Sequence, residues 1–163
     1  MSCGGYDLLI SRPVDGAELR PFLRDTFAVT DADLFVAPAD RVDDELAGVP
    51  PDLVFAAFCT WEPVQGHFAA SLTLGVDADR TRHLDHLDFA TRFAAHFRAM
   101  VLYGDTEPPG LWTVILADGT RLLAAMDEDD DRFTLTSASA AVPDLPDVTV
   151  VPGTADESPP VCR

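Results

Sequence analysis

Residues 79–104 read DRTRHLDHLDFATRFAAHFRAMVLYG, and the reading of this stretch decides the fold. Placed 100° apart, Leu87, Phe89, Ala90, Phe93, Ala94, Phe97, Met100 and Val101 fall within an arc of about 160°, with Leu84 about 60° beyond its edge. The spacing predicts one long helix over Asp79–Gly104, with an apolar stripe wide enough to cover a sheet. Gly104 sits where a left-handed cap belongs, and Pro108-Pro109-Gly110 blocks any continuation.

Upstream of that helix the pattern turns to strands. Leu53–Thr60 is nearly all apolar, as in a strand covered on both faces. The turn-like Trp61–Gly66 follows, and then Phe68, Ala70, Leu72, Leu74 and Val76 alternate strictly, which together predict an antiparallel hairpin. Downstream, Leu111–Ala117 and Thr120–Met126 flank Asp118-Gly119, a pair whose two members both favour positive φ in a tight turn. A third strand, Arg132–Ser137, is expected after the acidic turn Asp127–Asp131.

The N-terminal part begins with a short apolar strand, Tyr6–Ser11. Asp15 and Glu18 then have the spacing of a helix capping box ahead of the face Leu19, Phe22, Leu23 and Phe27. Pro21 interrupts that pattern, so a helix start near Pro21 is the alternative. Residues 31–51 are polar and Asp-rich, with only Leu34-Phe35-Val36 apolar enough for a strand and Gly48-Val49-Pro50-Pro51 as a breaker. They read as a surface excursion of the kind that carries binding. Near the C-terminus Val148–Val151 has the composition of an edge strand. The order of elements predicts an α+β fold, a mostly antiparallel sheet with one long and one shorter helix packed on it. One domain is expected over residues 1–152, with a disordered tail over 153–163.

Composition constrains function more than any motif does. The 163 residues carry 28 acidic side chains against 11 basic ones, every basic one an Arg, for a formal net charge of -17. Such a field repels phosphate backbones and anionic lipid heads and attracts cationic partners, so neither nucleic-acid nor membrane binding is expected. Acidity that merely maintains solubility is the plainer reading of the same numbers. Cys3, Cys59 and Cys162 are odd in number and form no CxxC pair, which argues against a disulfide framework or a zinc site. With no basic-then-apolar leader and no long apolar run, a cytoplasmic protein is expected.

Signals for chemistry are weak. His83 and His86 lie three apart, but a metal site needs further ligands, for which only His67 or the distant His96 could be nominated. Helical projection puts His86 within the apolar stripe, so a core or boundary histidine bonded to a neighbour is the expectation, with no metal and no cofactor. Asp127–Asp131 lacks the alternating oxygens, central Gly and terminal Glu of a calcium loop. No GxSxG, phosphate-cradling loop or P-loop Lys is present, and no catalytic residue is nominated. Trp61 and Trp112, each beside a turn or strand start, suit either an interface anchor or the closure of a core.

The run Val101–Pro109, followed by Leu111-Trp112-Thr113-Val114 and then Asp118-Gly119, resembles a pattern in small bacterial immunity proteins of polymorphic toxin systems. The resemblance covers about a quarter of the chain and implies a cytoplasmic, non-enzymatic protein that binds a toxin domain and blocks its active site. The acidity agrees, because an acidic partner is steered to a basic cleft and covers it. On this reading the contact surface comprises Asp127, Glu128, Asp129, Asp130 and Asp131, the excursion residues Asp43, Asp44 and Glu45, and Trp112. Two other readings stay open. One is a small-molecule binder or enzyme with a pocket between the long helix and the sheet, using His83, His86 and His67. The other is an adaptor or chaperone-like subunit that uses a strand edge or apolar patch.

Overall fold

Tyr6, Leu8 and Ile10 bury on one side of strand β1 (Cys3–Ile10) and Leu9 on the other, so this strand separates two apolar cores. In the computed structural model, which describes residues 3–104 and 111–151, β1 lies inside a ten-stranded mixed sheet. The remaining strands are β2 (Leu34–Pro38), β3 (Ala57–Pro63), β4 (Gln65–Gly66), β5 (Ala70–Asp77), β6 (Val101–Tyr103), β7 (Trp112–Ile115), β8 (Arg121–Asp129), β9 (Arg132–Ala138) and β10 (Thr149–Val150). Their order is β10-β9-β8-β7-β6-β1-β5-β3-β2. Most pairings are antiparallel; the outermost pairs β2·β3 and β9·β10, together with β4·β9, are parallel. The fold class is α+β, as expected, with a sheet more mixed than its alternating segments suggested.

Helices α1 (Gly16–Phe27) and α3 (His86–Phe97) cover the side of the sheet that carries Tyr6, Leu8, Ile10, Leu72 and Leu74. Asp15 caps α1 by accepting from the Glu18 amide at 2.8 Å, so the helix starts at this cap and not near Pro21. Pro21 lies within the helix, where it cannot donate to the Ala17 carbonyl. Both residues are exposed, so this face of the helix is open to solvent.

The predicted helix over Asp79–Gly104 is the main correction. Only His86–Phe97 is helical, the same length as α1, with Asp85 as N-cap accepting from the Asp88 amide at 2.7 Å. At the other end the stop is Arg98, in the left-handed conformation (φ 52°, ψ 49°), whose N–H bonds the Ala94 carbonyl. Val101-Leu102-Tyr103 then enters the sheet as β6, and Gly104 follows a strand rather than capping a helix. Within α3, Phe89, Phe93 and Phe97 are buried, each worth about 2 kcal/mol of transfer free energy.

The sheet curls far enough to meet itself. Two residues past β3, Gln65 and Gly66 pair with Arg132 and Phe133 of β9, closing strands β9-β8-β7-β6-β1-β5-β3 into a ring. Leu9, Phe68, Leu102, Val114, Leu122 and Leu135 fill the enclosed second core. Gly66 makes the closure possible, since its φ is +91° and a Cβ there would lie 2.3 Å from the Phe133 carbonyl oxygen.

Both anticipated hairpins form. β3 and β5 pair from Ala57–Val76 to Pro63–Ala70, and β7 and β8 are joined by a turn in which Gly119 donates to the Leu116 carbonyl at 2.9 Å. Of Asp118 and Gly119, only the glycine takes positive φ. The expected edge strand appears as β10, and the expected tail over 153–163 lies outside the described residues. No helix among the described residues is long and apolar enough to cross a membrane.

Candidate functional site

Residues 39–56 lead from the end of edge strand β2 back to the start of β3. A five-residue helix α2 (Val42–Leu46) carries Asp43, Asp44 and Glu45, all exposed. Gly48 and Pro50-Pro51 prevent the helix from continuing, and two successive turns follow, Val49 N–H to the Leu46 carbonyl at 3.0 Å and Leu53 N–H to the Pro50 carbonyl at 3.1 Å. Between α2 and β3 these turns shape an apolar hollow of about 440 Å³ lined by Leu46, Val49, Pro51, Leu53, Val54 and Phe58.

The hollow is rigidly built. Phe35 on β2 stacks on Phe58 of β3 with ring centroids 4.4 Å apart and planes 13° apart, and Phe55 tilts onto Phe35 at 5.4 Å. Arg80 donates to the Val54 carbonyl at 2.8 Å and to Asp33 at 2.9 Å. The Ala56 amide reaches the Asp33 carbonyl at 2.8 Å, and the Ala56 carbonyl accepts from Asp77. With the backbone held in this way, Leu53 is left 43% and Val54 62% exposed. The reading of Leu53–Thr60 as a covered strand is therefore corrected: β3 begins only at Ala57, and of the residues before it Leu53 and Val54 face outward while Ala56 is buried.

The second acidic segment is part strand and part turn. Asp127, Glu128 and Asp129 end β8, and Asp130 (φ 53°) and Asp131 make the reversal into β9. All five are exposed. The Asp131 carbonyl accepts from the Gln65 amide at 2.8 Å, which ties this hairpin to the chain just beyond β3. Pro38, at the end of β2 and five residues before Asp43, pairs with Trp61 on β3. Among the described residues, ion pairs involve Glu18, Asp25, Asp31 and Asp33, and none involves Asp43, Asp44, Glu45 or Asp127–Asp131. Trp112 pairs with Ala124, three residues before Asp127 on β8, but its ring is only partly exposed and packs over Gly104 against the second core. Trp61 closes the first core, resting on Gly16.

The histidines do not converge. His83 and His86 lie beside an open cleft of about 500 Å³ with Arg82, Thr81, Tyr6 and Tyr103. His86 is exposed at the first turn of α3 with its ring edge-on to Tyr6 at 5.0 Å, so of the core and boundary positions expected for it, it takes the boundary one. Its Nε2 lies 2.7 Å from the Gly5 carbonyl; because a carbonyl only accepts, this nitrogen carries the proton. The Tyr6 hydroxyl donates to the Leu84 carbonyl, and burial, followed by the nearby Asp85 carboxylate, pushes the Tyr6 pKa up. His67 lies apart from this cleft, accepting from the Leu135 amide at Nδ1 (3.0 Å) in a hollow that also contains Arg98 and Asp144. Cys59 is buried in β3, and burial raises its thiol pKa to about 12, so it is no nucleophile at neutral pH. Among the described residues no group of three or more His, Cys, Asp or Glu is placed to hold a metal ion.

Sequence reading missed Leu53, Val54 and Arg80. The Pro50-Pro51 pair was the available signal that the apolar run does not enter a strand at once. No protein-family model, curated protein or solved structure matches the chain.

Proposed function

We propose that the chain is a cytoplasmic protein-binding module, an immunity- or antitoxin-like inhibitor that covers the basic surface of a toxin domain and has no enzymatic activity of its own. The observation that carries this reading is the set of exposed, unpaired carboxylates at Asp43, Asp44, Glu45 and Asp127–Asp131 in a chain of net charge -17. Carboxylates without internal partners keep their full field for a cationic partner, raise the association rate, and suppress binding to acidic surfaces. Asp43–Glu45 also immediately precede Leu46, which lines the apolar hollow, and interfaces commonly set charged residues around an apolar centre.

The test is rescue of growth. The chain is coexpressed with each candidate toxin domain encoded near it in its source genome, alongside a variant with all eight carboxylates replaced by Asn or Gln. Rescue by the native chain and its loss in the variant are expected. Undiminished rescue by the neutralised variant removes the acidic segments from the interface, and no rescue by either chain removes the immunity reading.

A second reading is favoured by one observation, the cleft beside the N-terminus of α3. Its combination of Tyr6, Tyr103, Arg82, His83 and His86 has the mixed aromatic and polar character of a small-molecule site. Thermal-shift screening of metabolites against native protein and an Arg82→Ala, His83→Ala variant tests it. A ligand whose stabilisation survives the double substitution does not use this cleft.

A further inference from the structure

Leu53 and Val54 present an arrangement that folding alone does not explain. Two large apolar side chains stand in solvent while the backbone beneath them is pinned by Arg80 to Val54 and Asp33 and by the Ala56 amide to the Asp33 carbonyl. A loose loop would turn such side chains inward; this one is held so that they stay out. They line the hollow together with Leu46, Val49 and Phe58. Rigid, clustered and partly exposed apolar side chains are the features of a docking surface.

The charged residues that flank the lining residues in the chain identify the occupant. Asp43, Asp44 and Glu45 immediately precede Leu46, and exposed Asp52 lies between the hollow-lining Pro51 and Leu53. Arg80 is paired with Asp33, and over residues 39–56 the one basic side chain, Arg41, stands against five carboxylates, Asp40, Asp43, Asp44, Glu45 and Asp52. We infer that this hollow receives an amphipathic, cationic helix of the partner protein, its apolar side chains entering between Leu46 and Val54 and its Lys or Arg residues meeting these carboxylates. The inference rests on the protein-binding reading above and names the element of the partner that is gripped. It also gives the two kinds of residue separate roles: the carboxylates steer, and the hollow retains.

The probe is a synthetic Leu/Lys peptide about four turns long with helical spacing of its leucines, and a scrambled peptide of the same composition is the control. Both are titrated into isotope-labelled full chain, with binding followed by amide chemical shifts. Shifts are expected at residues 46–58 and Arg80, with the scrambled peptide at least about tenfold weaker. The decisive variant is Leu53→Asp, Val54→Asp. It removes apolar contact and adds negative charge, so a purely electrostatic association strengthens whereas insertion weakens by about tenfold or more. Unchanged or tighter binding by this variant, or shifts confined to Asp127–Asp131, overturns the inference. The variant Asp43→Asn, Asp44→Asn, Glu45→Gln separates the two readings. If it alone loses binding, the charge-based reading stands and the hollow falls; if only the Leu53, Val54 variant does, the hollow stands and the charge-based reading falls.

Discussion

The Arg80 guanidinium donates to the Val54 carbonyl at 2.8 Å, so a residue on one side of the β3–β5 hairpin fixes an exposed apolar residue on the other. The same guanidinium reaches Asp33 at 2.9 Å, joining three segments far apart in sequence. Arg80→Met keeps the aliphatic stem and removes both bonds. Because the side chains of this pair are 37% and 41% exposed, solvent screens it, and the global cost should be only about 0.5 kcal/mol. The local effect should be larger. Hydrogen exchange at the Ala56 amide, which bonds the Asp33 carbonyl, should accelerate by about tenfold. Unaltered exchange at Ala56 would mean that the segment is held by packing and not by Arg80.

Leu53 and Val54 should be nearly neutral for folding. At 43% and 62% exposure they contribute little burial, and Leu53→Asp, Val54→Asp should change unfolding free energy by no more than about 0.5 kcal/mol per site. Leu72→Ala, in the fully buried first core, should cost about 3 kcal/mol by contrast. Urea denaturation of the three proteins makes the comparison. A loss in the Asp variant approaching that of Leu72→Ala would identify the pair as structural.

The legible parts of this fold were those governed by local physics. Asp15 with Glu18, the alternation from Ala70 to Val76, and Asp118-Gly119 each act within a few residues, and each appears where the pattern placed it. The Asp79–Gly104 helix failed because Met100 and Val101 happen to share its helical phase, and Leu84 falls near it, while they belong to a connection, a strand and a loop. Asp85-x-x-Asp88 repeats the form of Asp15-x-x-Glu18 and was the readable start; the stop at Arg98 carried no glycine and left no trace in the sequence. The acidic segments were visible from composition. The hollow was not, because it depends on Arg80 meeting Val54 and on Phe35 meeting Phe58, contacts that exist only once β2, β3 and β5 have assembled.

Closure of the sheet depends on Gly66. Gly66→Ala adds a methyl group 2.3 Å from the Phe133 carbonyl oxygen and forces an L residue to hold φ near +91°. Backbone and contact strain together should cost about 2 kcal/mol or more. The damage should spread to the β4–β9 pairing and the His67 amide bond to Phe133, seen as lost exchange protection at His67. Gly48→Ala is the control, since nothing lies within 4 Å of its added Cβ and its effect should be within about 0.5 kcal/mol. Equal stability of the two variants would show that the ring closure is not a fixed part of the fold.

Tyr6 sets the alkaline limit of one core. Its hydroxyl donates to the Leu84 carbonyl, and burial, with the Asp85 charge second, raises its pKa above the ordinary value of about 10. Between the unfolded and folded values the unfolded chain releases the proton while the folded one keeps it, so stability falls as pH rises. The contribution is fully present below about pH 10 and is lost through the raised folded value. Tyr6→Phe removes the hydroxyl, costing about 1 kcal/mol at neutral pH, and with it this ionisation. Urea midpoints measured from about pH 8 to 11.5 should therefore decline more steeply for the native chain than for Tyr6→Phe, and the two curves should converge at the alkaline end. Parallel curves across that range would mean that Tyr6 titrates alike in both states, and that the hydroxyl's bond to Leu84 does not tie β1 to the start of α3.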